Sequence, residues 1–237
     1  MKVVSAKICP FVQRVTALLE AKRITYEIEY ISLNNKPQWF LDISPNAQVP
    51  VLVTDTGIAL FESDAICEYL DEISKPIEGH ISSEQRALDR AWSYMAAKNY
   101  LTQCSVMRSA TSETLNERLA NLSQLFTQAE AVLAEGPFFK GAALSNVDIA
   151  WLPLLHRSDI ICKYTTYDLL AGNPKVQAWR KALMNSDIVE KSVSEDFEKV
   201  FTNFYLSNET YLGTKKCCVN PVKGREQKTD HYETSSC

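Results

Sequence analysis

Cys9-Pro10-Phe11 stands between a short apolar run at Val3 and Val4 and a segment with apolar residues at Phe11, Val15, Leu18 and Leu19. The first run reads as a strand and the second as a helix; Pro10 suits the first helical turn, where its missing N–H is no loss. A thiol at such a junction faces unpaired backbone N–H groups and the positive end of the helix dipole, and both favour the thiolate. A free cysteine of pKa about 8.5 is roughly 3% thiolate at pH 7, and one lowered to about 6 is roughly 90% thiolate. The junction therefore predicts a depressed pKa and a nucleophile at Cys9, although position alone also admits a buried helix-start cysteine. Val12 occupies the place where a C-x-x-C pair would carry its second thiol. A redox cycle through Cys9 then needs a thiol from outside the chain.

A second group of residues has the chemistry to hold a small zwitterion. Glu62-Ser63 precedes a stretch with Ile66, Tyr69, Leu70 and Ile73 on one helical face. Ser63 is the expected N-cap of that helix, and its hydroxyl and the first-turn N–H groups can hold a carboxylate while Glu62 faces an ammonium. In isolation the pair reads equally well as a cap and a favourable dipole partner. Lys36 can meet a second carboxylate, or can simply be a solvated loop lysine.

The elements that must position these residues follow from pattern. Ile24 to Ile31 alternates as a second strand, Lys36 to Leu41 has room for a short helix, and Val49-Pro50-Val51-Leu52-Val53 is strand-like. Asp55-Thr56-Gly57 is a hairpin turn into Ile58-Ala59-Leu60, after which the Ser63 helix begins. The order βαβ, short helix, ββα predicts an α/β thioredoxin-like domain over residues 1–75. Residues 76–81 read as a linker, and beyond it strand signals vanish. Helical periodicity marks Leu88 to Met95, Leu115 to Leu133, a helix opened by the Ser145–Asp148 box and apolar on nearly all sides, Val176 to Leu183, and Phe197 to Tyr205. Residues 82–208 are thus expected to form an all-α helical bundle, with Pro153 kinking its central helix. Residues 209–237 read as a polar, mobile and dispensable tail.

Bulk properties narrow the function classes. The chain has 237 residues, of which 46% are hydrophobic, enough for a sizeable core. A formal net charge of −4 without a basic block gives nucleic-acid binding no support. No window approaches the roughly 18 apolar residues of a membrane-spanning helix. The start Met1-Lys2-Val3-Val4 lacks a signal-peptide pattern, so a cytoplasmic protein is expected. The seven cysteines are scattered without metal-ligand or disulfide spacing, which predicts reduced thiols and no bound metal. Cys67, Cys104 and Cys162 fall on expected helices as packing residues; Cys217, Cys218 and Cys237 fall in the tail.

Taken together, CPFVQR at 9–14, KPQWF at 36–40, NAQVPVL at 46–52, FESDAICEYLDE at 61–72 and SNVDIAWLP at 145–153 resemble the omega class of glutathione transferases, in order and spacing. The resemblance is strong up to residue 72 and looser in the helical half. It implies that Cys9 forms a mixed disulfide with glutathione and that Phe11 lines the same pocket. Val49-Pro50 corresponds to a cis-proline step whose Val49 backbone pairs with the cysteinyl amide of the tripeptide. Glu62 and Ser63 then hold the γ-glutamyl end and Lys36 the glycyl carboxylate. A small electrophilic or disulfide acceptor is expected in a cleft between the domains, lined from Tyr94, Met107, Arg108, Phe197, Phe201 and Tyr205. Aromatics at helical spacing also fit a core, and one extra residue in EDFEKVFTNFYLSN leaves open whether Phe197 or Phe201 takes the acceptor position. His156 reads as a structural histidine rather than a base.

The activity so implied is glutathione-dependent thiol transfer: deglutathionylation, or reduction of disulfides or dehydroascorbate-type acceptors. Two alternatives are a reductive lyase or etherase acting on glutathionyl thioethers and a non-catalytic binding or scaffold protein of the same fold. A chloride-channel-like relative is disfavoured by the short, charged first helix. A scaffold has no need of the thiol, the lysine and the Glu-Ser pair together. The resemblance also implies a homodimer.

Overall fold

The computed structural model describes residues 1–216; Cys217, Cys218 and Cys237 lie outside the described residues. The first half is built from β1 (Lys2–Ser5), α1 (Pro10–Lys22), β2 (Glu27–Tyr30), α2 (Gln38–Ile43), β3 (Val51–Val53), β4 (Ala59–Phe61) and α3 (Ser63–Glu72). Its four-stranded sheet has the order β2-β1-β3-β4. β1 pairs parallel with β2, and the pairings of β1 with β3 and of β3 with β4 are antiparallel. This is a thioredoxin-like sheet, and among the described residues the elements that follow it are helices: α4 (Ser83–Lys98), α5 (Tyr100–Met107), α6 (Ser112–Val132), α7 (Asn146–Tyr164), α8 (Pro174–Met184), α9 (Asp187–Lys191) and α10 (Phe197–Tyr205), with a 3-10 turn at Leu212–Lys215.

Register decides where the loops emerge. Val4 faces Val51 and Ser5 faces Tyr30, so the C-terminal end of β1 lies beside the start of β3 and the end of β2. Val51 faces Phe61, which brings the end of β4 to the same edge. The segments after β1, after β2, before β3 and after β4 therefore all leave one end of the sheet. They carry Cys9, Lys36, Val49 and Glu62-Ser63, respectively.

Two apolar cores meet on α7. Val3, Val4, Val15, Leu19, Leu52, Ile66 and Leu70 fill the space around the sheet, joined by Ile149 and Leu152 from α7. Trp151, Leu154 and Leu155 of the same helix enter the second core with Phe126, Trp179 and Phe201. A helix apolar nearly all round is what this double burial requires. Pro153 lies within α7, and the Arg157 guanidinium donates to its carbonyl at 2.9 Å.

Several boundaries differ from expectation for local reasons. Strand β2 begins at Glu27 rather than Ile24, because Arg23 takes a left-handed conformation and the Ile24 N–H donates back to the Leu19 carbonyl at 2.9 Å, closing α1. Helix α2 begins at Gln38 because a residue preceding proline, here Lys36, is disfavoured from helical geometry. Ser63 is not the N-cap of α3: Glu62 holds that position and Ser63 is the first helical residue. The break between α4 and α5 at Asn99, and the short α9, have no glycine or proline to announce them.

The tail needs the largest correction. Residues 209–216 are not a loose polar end but pack on the helical half. Leu212 is wholly buried, the Tyr211 N–H donates to the Ser109 carbonyl at 2.7 Å, and Lys216 bridges to Thr165. Gly213 runs so close to the chain that a Cβ there would stand 1.9 Å from the Ser207 carbonyl oxygen, which only glycine permits. One apolar residue in a polar stretch, Leu212, does what a periodic pattern would otherwise signal.

Candidate active site

Cys9 is the N-cap of α1, with Pro10 as the first helical residue and extended backbone (φ −74°, ψ 123°). Its own N–H donates to the Ala6 carbonyl at 3.0 Å and its carbonyl accepts from Gln13 at 3.1 Å, so the residue is held on both sides. Cys9 is half-buried as a residue and its thiol is in no disulfide. Burial pushes its pKa above the ordinary value, against the pull of the Val12 and Phe11 N–H groups and of the Arg157 cation; Cys104 adds to the rise. The expectation of a lowered pKa is thus corrected: the helix start and the cation are both present, but desolvation of the thiolate outweighs them.

The other residues at this end of the sheet present polar groups beside Cys9. Val49-Pro50 is a cis peptide bond, as the resemblance implied. Among the described residues neither the N–H nor the carbonyl of Val49 has a hydrogen-bond partner. Ser63 is a largely buried residue whose hydroxyl has no side-chain partner among the described residues, and among them Lys36 makes no ion pair. Glu62 Oε1 accepts from Asn46 Nδ2 at 2.8 Å. Its backbone has φ 66° and ψ 117°, a conformation that costs a non-glycine residue of order 1–3 kcal/mol and that the surroundings must enforce. The enforcement includes the turn at 44–48, where Ser44 Oγ donates to the Gln48 carbonyl at 3.0 Å, and the ion pair of buried Arg14 with Asp64 in the first turn of α3. Phe11 packs edge-on to Tyr100, ring centroids 5.1 Å apart.

The residues expected to line an acceptor cleft are not brought together. Tyr94, on α4, donates to Glu68 at 3.3 Å and lines a cavity of about 70 Å³ with Arg14, Cys67 and Arg90. Met107 is wholly buried in the helical core. Arg108 is exposed at the end of α5 and lines a groove with Leu101, Cys104, Ser105 and Arg118. Phe197, Phe201 and Tyr205 are buried and in contact in series, Phe197 stacked on Phe201 and Phe201 tilted against Tyr205, with centroids 5.9 Å and 5.0 Å apart. The amphipathic face of α10 is therefore core, and only its Tyr205 reaches toward Cys9, lying against the Cys104 thiol. Phe197 is tied to the site indirectly, stacked on His156 at 5.1 Å and beneath the Arg157 guanidinium at 5.6 Å.

His156 faces Gln13, whose Nε2 lies 2.8 Å from Nδ1, and burial beside two cations lowers its pKa to about 3. A neutral ring so placed is structural, as expected, and no base. Cys67 is buried with its pKa pushed up to about 11, fitting a packing role. Among the described residues no group of His, Cys, Asp and Glu is arranged to hold a metal ion, and no helix is long and apolar enough to cross a membrane. Pattern reading missed Gln13 and Arg157, which join α1 to α7 behind the thiol. For Arg157 the available signal was polarity out of place, a long charged side chain in a helix expected to be apolar on nearly all sides; Gln13 had none beyond its place in CPFVQR.

Comparison with known proteins places this geometry in context. Residues 8–73 match the family described as glutathione S-transferase, N-terminal domain, and residues 112–182 the corresponding C-terminal domain. The chain is 30% identical over 224 residues to the probable glutathione S-transferase DHAR1, cytosolic, of Oryza sativa subsp. japonica, covering 94% of this chain and 91% of that protein. It is 28% identical over 213 residues to glutathione S-transferase omega-1 of Sus scrofa, covering 88% and 87%. Among solved structures, glutathione transferase Omega 3C from Trametes versicolor superposes with a TM-score of 0.71 at 29% identity, over 82% of this chain and 89% of that one.

Proposed function

This chain is a member of the glutathione S-transferase family, and from that premise we propose that it is a glutathione-dependent thiol transferase of the omega kind, working through Cys9. The observation that carries the reading is the convergence at one end of the sheet. A cysteine at a helix start shares that end with the Val49 backbone, the Ser63 hydroxyl and Lys36, each without a partner among the described residues. Glutathione offers an amide for Val49, a carboxylate for Ser63 and the α3 N-terminus, an ammonium for Glu62 and a second carboxylate for Lys36. Its sulfur then comes to the start of α1.

The reaction follows from a sulfur nucleophile. The Cys9 thiolate attacks the glutathionyl sulfur of a mixed disulfide; the S–S bond breaks and the acceptor leaves as its thiolate. Cys9 is now bound to glutathione. A second glutathione thiolate attacks that adduct, forming glutathione disulfide and restoring Cys9, so one free glutathione thiol is consumed for each mixed disulfide reduced and the other half of the glutathione disulfide comes from the substrate. The Phe11 and Val12 N–H groups face the sulfur throughout and favour its anionic form. A hydroxyl at this position would instead donate to the glutathione thiolate and favour conjugation.

Treatment with glutathione disulfide followed by intact mass and peptide mapping tests the assignment. One glutathione is expected on Cys9, and Cys9→Ala is expected to lose disulfide reduction while retaining affinity for glutathione. Full activity in that variant, or an adduct only at another cysteine, would refute it. Relatives named cytosolic and omega also make a cytoplasmic homodimer the proposed state. Exposed Phe61 at the end of β4 and Leu88 on α4 supply apolar surface for it, and light scattering at micromolar concentration should give twice the monomer mass.

A further inference from the structure

Arg157 is an anomaly in the packing of α7. Its side chain is wholly buried, yet among the described residues no carboxylate lies within ion-pairing distance. What holds it is neutral: Nη1 donates to Gln13 Oε1 at 2.5 Å and to the Pro153 carbonyl at 2.9 Å, and Nη2 to the Ile8 carbonyl at 3.1 Å. Nε has no partner among the described residues. Phe197 covers one side, its ring centroid 5.6 Å from the guanidinium carbon. A buried cation without a counter-ion costs several kcal/mol, and three neutral acceptors orient the charge without cancelling it.

The groups around this cation that can turn negative are few. Cys9, Cys104, Tyr100 and Tyr205 feel its charge, from the start of α1, from α5 and from α10. Burial pushes both phenols up, so they stay neutral in the working range. His156, next in sequence, is neutral as well. Of the two thiols only Cys9 also faces the backbone N–H groups of a helix start. Ile8, whose carbonyl the guanidinium grips, immediately precedes Cys9, so the same contact fixes the position of the thiol and the cation together.

We infer that Arg157 is the positioning residue of the active site, a buried cation held in place for the anionic form of Cys9 and left without a carboxylate so that the thiolate is its counter-ion. The inference rests on the reading of Cys9 as the nucleophile and explains how a desolvated thiol still reacts. A carboxylate beside the guanidinium would have offset part of the burial cost of the arginine and weakened its field at Cys9. Glutathione entry, which strips water from the sulfur, strengthens the pairing because the local dielectric falls.

The test uses the full chain without glutathione. The rate of iodoacetamide alkylation, mapped separately at Cys9 and Cys104 by peptide mass spectrometry, is followed from about pH 5 to about pH 10. A cation near a thiol lowers its pKa, so Arg157→Gln should move the Cys9 profile to higher pH by about one unit or more. At neutral pH the rate then falls about tenfold. Arg157→Lys should stay close to the original profile. Superimposed Cys9 profiles for the unmodified chain and Arg157→Gln would overturn the inference, as would a shift confined to Cys104. Should Arg157→Gln fail to fold, Gln13→Glu places a carboxylate where Oε1 already meets the guanidinium, and a Cys9 profile unmoved in that variant overturns the inference equally. Since alkylation needs neither glutathione nor turnover, a chain that shows the Arg157 dependence but takes no glutathione on Cys9 would refute the proposed function alone.

Discussion

Ser63, Lys36 and the Val49 backbone share one property: each is held by the fold, and none has a partner within the described chain. Glu62 adds a left-handed backbone that a non-glycine residue adopts only under constraint. Glu62→Ala, Ser63→Ala and Lys36→Ala should therefore each weaken glutathione binding and leave the fold intact. A charge-assisted hydrogen bond is worth roughly 1.5–3 kcal/mol, so Kd should rise about tenfold or more in each. Titration calorimetry is the check, and three unchanged affinities would remove the site. These residue types and their order are legible in the amino-acid sequence, because each sits at a strand or helix end that periodicity locates. The ionisation of Cys9 is not. The helix start can be read from Cys9-Pro10, whereas the burial that opposes it depends on α5, α7 and α10, whose docking no local pattern records.

The Ser145–Asp148 box shows why some elements were easy to read. It is an N-cap with a reciprocal acidic partner ahead of a long apolar run, and the structure uses it for more than capping. Asp148 is wholly buried and accepts from Ser145 N–H at 2.8 Å, Ser145 Oγ at 2.6 Å, the Phe139 N–H at 2.8 Å and Trp179 Nε1 at 2.7 Å. One carboxylate thus ties the start of α7 to the preceding loop and to α8. Asp148→Ala leaves these donors buried without an acceptor, at about 1–3 kcal/mol for each that water cannot reach. A loss of at least about 3 kcal/mol in denaturant unfolding is expected. A change below about 1 kcal/mol would mean the loop and helix hold without it. By contrast, the turn at Asn99 and the helix α9 were illegible because tertiary packing, not capping chemistry, ends and begins them. The aromatic face of α10 was legible as amphipathic, but its partner was misjudged: it covers the helical core and not an acceptor cleft.

At the scale of the molecule, the two halves are joined through α7, and the helical half is completed by residues just beyond α10. Leu212 is wholly buried in that helical core, and Leu212→Ala should cost about 2–5 kcal/mol in urea unfolding. A truncation at Asn208 should then be destabilised by a comparable amount or more. The joint between the halves also carries a titration. His156 on α7 accepts a hydrogen bond from Gln13 of α1, and burial, with Arg157 and Lys163 as nearby cations, lowers its pKa to about 3. The unfolded chain binds a proton at this histidine near pH 6.5, while the folded chain stays neutral far below that. Between those two values the unfolded state holds more protons, so stability falls as pH falls, at up to about 1.4 kcal/mol per pH unit for this one group. The contribution is complete above about pH 6.5. His156→Asn keeps an acceptor for Gln13 but cannot titrate, so the stability difference between the two chains should shrink as pH is lowered from about 6.5 to about 4.5. Urea unfolding at several pH values measures it, and parallel stability curves would show that His156 takes up its proton in the folded chain as readily as in the unfolded one.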